Sequence, residues 1–335
     1  VIHDSFSRRH FLSRAAATTA VAALAPQLVD AAGTPNPFAY DVSKLERTDP
    51  KLIGYVEDAR WNIRLPSARR IAVGPENRIL VAADNAITTF TADGGRVSEI
   101  ATIDAVRCMT IAGDGGVFAG LRGTILEFDA KGQKLKSWDV PDKKAWLTGL
   151  AASGNDLFAA DSGNRIVWHF DRSGKLLGRI GGKNEDRNIP GFVVPSPYLD
   201  VKIHRDGLLR VNNPGRHRVE AYTFGGDFEG SWGKPSAAIE GFCGCCNPIS
   251  IALLPDGRFV TAEKGVPRVK VYGLQGDFEC VAAGAESFTE NARAGGGGGF
   301  ADAAMAGLDV AVDSRERLII LDRVTSEIRV MKRKA

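Results

Sequence analysis

The 335-residue chain has little of what several common functional classes require. It has no run of about 20 consecutive apolar residues, the length that spans a bilayer, so no transmembrane span is expected. Charge of neither sign is in excess: 43 Lys and Arg stand against 40 Asp and Glu, a formal net charge of +3. Much of that surplus sits at the two ends, in Arg8, Arg9 and Arg14 and in Lys332, Arg333 and Lys334. The implication is a mixed solvated surface, with no nucleic-acid partner. There is no Gly-x-Ser-x-Gly nucleophile elbow, no Cys-x-x-Cys-His haem attachment and no His-Glu-x-x-His zinc helix. The glycine run 295–299 lacks the Lys-Ser/Thr that completes a phosphate loop, and it reads as a flexible loop. Cysteine is scarce, at five residues.

Glycine is abundant, with 38 residues, as a fold of many tight turns requires. The hydrophobic fraction of 44% is enough for a sizeable core. At the front, Ser7, Arg8, Arg9, His10, Phe11 and Leu12 form a sequence that resembles the twin-arginine export motif. An Ala- and Thr-rich apolar stretch follows, with small-x-small cleavage sites at Ala23 and Ala25 or near Ala31 and Ala32. Basic, apolar and small segments in that order make an export signal. Residues 1–32 are therefore expected to be a signal peptide, residues 33–50 a linker, and the mature protein periplasmic or secreted.

A repeat organises the rest. An apolar strand, a polar turn, a second apolar strand, a short loop and a third strand recur from Ile71, Ile111, Leu150, Val201, Ile251 and Val310. The spacings between starts are 40, 39, 51, 50 and 59 residues, so a constant unit is followed by a connection that grows. Asp206-Gly207 and Asp256-Gly257 mark turns between first and second strands, and Gly174 and Gly226 mark turns before a fourth. Four-stranded units repeated radially are propeller blades.

The segment Asp161, Ser162, Gly163, Asn164, Arg165 resembles the NHL repeat, and Pro214 to Arg218 matches it in part. The resemblance covers residues 50–334 and implies an all-β, six-bladed propeller forming one domain over residues 51–335. The sixth unit has only three strands after Val310, so the segment 52–56 is expected to supply the fourth and close the ring.

Alternating strand direction sorts the loops onto two faces. The long inter-blade connections, at about 182–196, 234–248 and 284–306, share one face with the short second-to-third-strand loops. Function concentrates on such loops when a rigid scaffold carries them. Asp84, Arg122, Asp161, Asn212, His217, Asn247, Glu263, Lys264, Asp322 and Arg323 are therefore candidates for the channel mouth on that face. A purely structural role, bonding nearby backbone amides, is the competing reading for Asp161 and its equivalents. The expected partner is a protein or small ligand on the long-loop face, and the expected state is a monomer.

The least expected segment is Cys243-Gly244-Cys245-Cys246-Asn247-Pro248, in one of those long loops. Cys108 and Met305 fall at similar positions in other units, and His217 is near the same rim. Three readings stand side by side: a disulfide, favoured by export; a soft-metal site for Cu, Zn or Fe; or free, redox-active thiols. Cys280 is expected on an outer strand as a small, half-buried side chain. Six-bladed propellers also include calcium-dependent lactonases. Glu263, Asn212, Asn213, Asn247 and Asp84 offer oxygen ligands for Ca in the channel, making a metal-dependent hydrolase or a lyase the alternative function. An NHL lyase with a histidine-held channel metal fits less well, because only His217 lies on the working face.

Overall fold

The computed structural model describes residues 43–290 and 306–335. The proposed signal segment, the glycine run 295–299 and Met305 lie outside the described residues. The described chain is all-β apart from short 3-10 turns and two helical residues at 289–290, and its strands form six four-stranded antiparallel sheets. Blade 1 comprises Ala68–Val73, Ile79–Ala83, Ala86–Phe90 and Arg96–Ala101, and blade 2 comprises Cys108–Ile111, Val117–Gly120, Thr124–Phe128 and Lys134–Asp139. Blade 3 comprises Leu147–Ser153, Asp156–Asp161, Ile166–Asp171 and Leu176–Ile180, and blade 4 comprises Val201–Ile203, Leu209–Asn213, Arg218–Tyr222 and Phe228–Trp232. Blade 5 comprises Ser250–Leu253, Phe259–Ala262, Val269–Tyr272 and Phe278–Ala283. Blade 6 takes Leu308–Val312, Leu318–Asp322 and Glu327–Arg333 from the end of the chain, and its outer strand is Tyr55–Asn62 from the beginning. The expected six-bladed propeller is the observed fold.

Burial follows strand position. Second strands such as Ile79–Ala83 and Leu318–Asp322 are buried at every residue, because a neighbouring blade covers each face of the sheet. They read as continuous apolar runs, not alternating ones. Outer strands such as Lys134–Asp139 lie on the rim and are largely exposed and polar. The turns between first and second strands repeat one design. Asp114, Asp206 and Asp256 each accept the amide two residues on, at 3.0 Å. In the blade 5 turn, Gly257 then takes φ +97°, a conformation that costs a residue without Cβ little.

The closing strand lies slightly later than the expected 52–56. Residues 50–52 form a 3-10 turn capped by the Asp49 carboxylate, and Ile53 bridges to Val281 of blade 5. Pairing with the last strand then runs from Tyr55 opposite Arg333 to Asn62 opposite Glu327, with a bulge between Glu57 and Ala59. Only Tyr55 in this strand is buried. A polar rim strand gives a weak apolar signal, which is why the sequence pattern marks its start better than its extent. Beneath it the ring is sealed by an apolar interface in which Ile71, Val81 and Phe90 of blade 1 pack with Ile319, Leu321, Ile328 and Val330 of blade 6. Removal of residues 45–62 should therefore expose the Glu327–Arg333 edge and lower the melting temperature steeply. Thermal unfolding followed by circular dichroism tests this, and an unchanged midpoint would show that the ring closes without the strand.

Candidate functional site

The site is built from the axis outward. Six residues share one register, each preceding the aligned apolar residue of an inner strand: Arg70, Thr110, Gly149, Asp200, Ser250 and Asp309. Arg70 pairs with Asp200 at 2.9 Å and with Asp309 at 3.2 Å. Lys202 pairs with Asp200 at 2.9 Å. Asp309 accepts the Ile71 amide at 2.7 Å and the Ser250 hydroxyl at 2.6 Å, while Asp200 accepts the Ile251 amide at 3.2 Å. Two carboxylates thus bind blades 1, 4, 5 and 6 together across the axis. Gly149 is required here, since a Cβ would lie 2.8 Å from the Asp200 carboxylate. Arg70 and Lys202 of the cluster also line a cavity of about 280 Å³. That cavity is lined by the later parts of all six inner strands, among them Met109, Leu150, Leu253 and Val312. The neighbouring cations hold the Asp200 carboxyl below its ordinary value despite burial, which acts the other way.

The axial residues Arg70, Asp200, Lys202 and Asp309 were not among the sequence candidates. The available signal was their shared register, with opposite charges one residue before an aligned apolar position in different units.

Most of the predicted mouth residues hold the scaffold. Asp161 accepts from the backbone amides of Trp146, Gly163 and Asn164, from the Asn164 side chain and from the Trp168 indole, at 2.8–3.2 Å. This is the structural role that competed with a functional one. Asp322 accepts from the Val324 and Thr325 amides, and the Asp84 carbonyl accepts from the Val106 amide. Asn212 donates to the Tyr198 and Pro248 carbonyls, at 3.0 and 2.7 Å, and its oxygen receives the Asp200 amide. Asn213 bonds the buried Glu220 at 2.9 Å. Glu263 is fully buried between Arg268, at 2.9 Å, and Lys270, at 2.8 Å. Burial brings the Lys270 ammonium down to about 8, against the pull of Glu263. Of the sequence candidates, Arg122, Lys264 and Arg323 remain turned to aromatic rings at the mouth and make no ion pair among the described residues.

The cysteine loop is fixed at several points. Asn247 donates to the carbonyls of Cys243 and Lys264, and its oxygen receives the Lys264 amide at 2.9 Å. The Cys243 amide donates to Glu263 at 3.3 Å, and the His217 ring lies 2.6 Å from the Gly244 carbonyl. Within this frame the Cys245 and Cys246 sulfurs are 3.2 Å apart, with Cys245 exposed and Cys246 buried. The Ser196 hydroxyl lies 3.1 Å from the Cys246 sulfur and receives a bond from Lys264 at 3.3 Å. The bond to Cys246, followed by burial, raises the Cys245 thiol above its ordinary value, although Lys264 pulls the other way. Cys245 is thereby held toward its protonated form.

All five cysteines stand as thiols. Cys108 lies on the inner strand of blade 2, fully buried in the apolar core shared with blade 3, its sulfur 3.9 Å from the Gly120 carbonyl, so the structure does not group it with the cysteine loop. Cys280 is buried on the outer strand of blade 5 against Gly54. Among the described residues no three His, Cys, Asp or Glu side chains are grouped to hold one metal ion.

Trp138 packs edge-on against Phe118 and Phe170, and Trp232 packs against Tyr272. Trp146 differs: the Arg107 guanidinium lies 3.8 Å from its ring centroid and that of Arg122 5.5 Å.

No family model matches the chain. It is 30% identical over 173 residues to the ciliary WD repeat-containing protein ctxp80 of Euplotoides octocarinatus. That match takes in 50% of this chain and 22% of the relative, so the chain spans about a fifth of that protein's length. Among solved structures, a streptogramin B lyase aligns over 84% of this chain and 98% of its own, with a TM-score of 0.57 and 13% identity. The virginiamycin B lyase of Staphylococcus aureus aligns over 82% of this chain and 98% of its own, with a TM-score of 0.56 and 16% identity. The structure of U3-55K aligns over 80% and 79%, with a TM-score of 0.52 and 15% identity. These likenesses establish a β-propeller. Among the described residues no helix is long and apolar enough to cross a membrane.

Two predictions test this arrangement. Glu263→Gln leaves Arg268 and Lys270 buried without an anion, and it should destabilise the protein by about 3 kcal/mol or more in urea unfolding. Burial also raises the Cys108 thiol to about 12, above its value of about 8.5 in the unfolded chain. The unfolded chain therefore loses this proton first. The resulting stabilisation is complete below about pH 8.5 and declines as pH rises toward 12. Between pH 7.5 and 10, Cys108→Ala should lose about 2 kcal/mol less stability than wild type; parallel losses would place the thiol in a solvated environment.

Proposed function

We propose that the protein is a binding propeller of the NHL type, exported by the twin-arginine route, that meets a protein partner or small ligand through its long-loop face. On this reading the Cys243-Cys245-Cys246 loop is the redox-sensitive part of that face. The observation that carries it is the pair of Cys245 and Cys246 sulfurs, 3.2 Å apart with one exposed, on a loop anchored by Asn247 and Glu263. In an oxidising compartment such a pair closes by exchange with an external disulfide. Deprotonated Cys245 attacks one sulfur of that disulfide, whose other half leaves as a thiolate. The Cys246 thiolate then displaces the attached half, so one external disulfide becomes two thiols and the 245–246 bond forms. Because Cys245 is held protonated, the exchange is slow at neutral pH and faster above it.

A soft metal fits less well. The loop brings two sulfurs together, whereas structural zinc takes four ligands, and the His217 ring is engaged by Gly244. The fold-level likeness to streptogramin B and virginiamycin B lyases supports a second reading, a lyase or a channel-centred hydrolase. Against a calcium site in the channel stand Glu263, neutralised by Arg268 and Lys270, and Asn212, spent on backbone carbonyls.

Thiol titration with elemental analysis, on natively exported protein, tests the reading. Two fewer thiols before reduction than after, with the difference abolished in Cys245→Ser and no stoichiometric metal, is the expected result. One equivalent of copper, zinc or iron that is lost in Cys245→Ser would replace it with a soft-metal site. Five titratable thiols in the exported protein without metal would remove the redox role.

A further inference from the structure

The long-loop mouth carries a set of cations that the fold does not neutralise. Arg69 is the second residue of the inner strand of blade 1, and Arg107 immediately precedes that of blade 2. Arg122, Lys264 and Arg323 lie in the second-to-third-strand turns of blades 2, 5 and 6. The five therefore come from four consecutive blades and share one end of the channel. Among the described residues none of them has a carboxylate within ion-pairing distance, although ion pairs are frequent elsewhere in the molecule. Arg70, one residue beyond Arg69, has two such partners.

Aromatic rings, not acids, face four of these cations. Arg107 and Arg122 share Trp146, at 3.8 and 5.5 Å from its centroid. Lys264 and Arg323 share Tyr198, at 4.8 and 5.7 Å. Stacking of this kind uses the flat face of a guanidinium and leaves its in-plane N–H donors unspent. The Nε atoms of Arg69, Arg107 and Arg323 are shut off from solvent with no hydrogen-bond acceptor. The like charges are also close enough to act on one another. Burial and then Arg323 lower the proton affinity of Arg69, while burial and then Arg69 lower that of Arg107, with Arg122 adding to it. Asp84 and Asp104 oppose these effects only from beyond ion-pairing distance. Unsatisfied buried donors and uncompensated like charge both cost stability, and both are relieved by one event, the arrival of an anion.

We propose that this mouth binds a small oxyanion, the phosphate or carboxylate group of a small ligand, through Arg69, Arg107 and Arg323, with Arg122 and Lys264 at its rim. The inference rests on the reading of the long-loop face as the working face and adds the ligand's chemical class. Arginine forks suit planar, bidentate contact with either group. The axial pairs of Arg70 with Asp200 and Asp309 form the floor, so the ligand sits at the mouth and does not thread the ring.

Isothermal titration calorimetry on the folded full chain tests the proposal, with pyrophosphate and citrate as probes at two chloride concentrations. Saturable binding of either probe, weakened by added salt and at least tenfold in both Arg69→Gln and Arg323→Gln, is the expected result. Pyrophosphate alone would assign phosphate esters, and citrate alone would assign polycarboxylates. Without ligand, both variants should melt no lower than wild type, since each removes a repulsion; a merely structural arginine would lower the midpoint. Absence of heat with both probes, or equal binding by both variants and wild type, would overturn the proposal. So would displacement of a bound probe by a short DNA duplex, which would mark a general polyanion surface. Cys245→Ser should bind the probe like wild type. Intact thiol cycling without anion binding therefore defeats this inference alone, and anion binding without thiol cycling defeats only the redox reading.

Discussion

The interaction on which the architecture depends is the buried charge cluster on the axis. Arg70 bridges Asp200 and Asp309, and each carboxylate also takes a backbone amide from the inner strand of a neighbouring blade. A propeller's inner strands converge on a narrow channel, and their first residues have nowhere to point except at one another. Apolar side chains would seal that space without fixing the order of the blades. Two carboxylates, a guanidinium and the Lys202 ammonium fix it, because each group has a designated partner in another blade or in the same strand. A pair of this kind contributes little net stability, since desolvation offsets the attraction, yet it is costly to break on one side. Its consequence for function is spatial. The cluster stands at the start of the inner strands, and the cavity lined by the later parts of those strands begins at Arg70 and Lys202.

Ring closure is the second constraint, and it depends on the first being satisfied. Six blades pack only if the first and last meet, and they meet through apolar contacts of Ile71, Val81 and Phe90 with Ile319, Leu321 and Val330. The outer strand Tyr55–Asn62 then covers an edge that would otherwise offer unpaired backbone groups to another chain. Its polar composition follows from its place on the rim, where only Tyr55 turns inward.

What could be read from the sequence follows from which signals are local. The six units were legible because turn chemistry and buried second strands are written in consecutive residues, such as Asp256-Gly257 followed by Phe259–Ala262. The faces were legible because strand alternation is a counting rule. Individual roles were less so. Asp161 and Glu263 sit where a functional acid would sit, but whether a carboxylate faces solvent or a ring of donors is decided by groups distant in sequence or on the next strand. Trp146 and Trp168 satisfy Asp161, and Arg268 and Lys270 satisfy Glu263. The axial cluster escaped for a related reason. Arg70, Asp200 and Asp309 are unremarkable singly, and only their common register before aligned apolar residues reveals that they meet.

The same comparison of partners separates scaffold from working surface. At the axis, two cations face two anions and every charge has a neighbour of opposite sign. In blade 5, Glu263 lies between two cations in an environment closed to water. At the long-loop mouth the pattern stops: Arg69, Arg107 and Arg323 have no carboxylate within ion-pairing distance among the described residues, unlike Arg268 and Arg329, and aromatic rings stand where acids would balance Arg107 and Arg323. A fold that neutralises its other buried charges so thoroughly does not lack the means to place an acid there, since Asp84 and Asp104 are already nearby. Local rules broken in one place and obeyed around it are the expected physical mark of a surface shaped by something other than stability. The dithiol of Cys245 and Cys246 lies beside Lys264 on that same face, so the cations without acid partners and the paired thiols share the surface that the long loops surround.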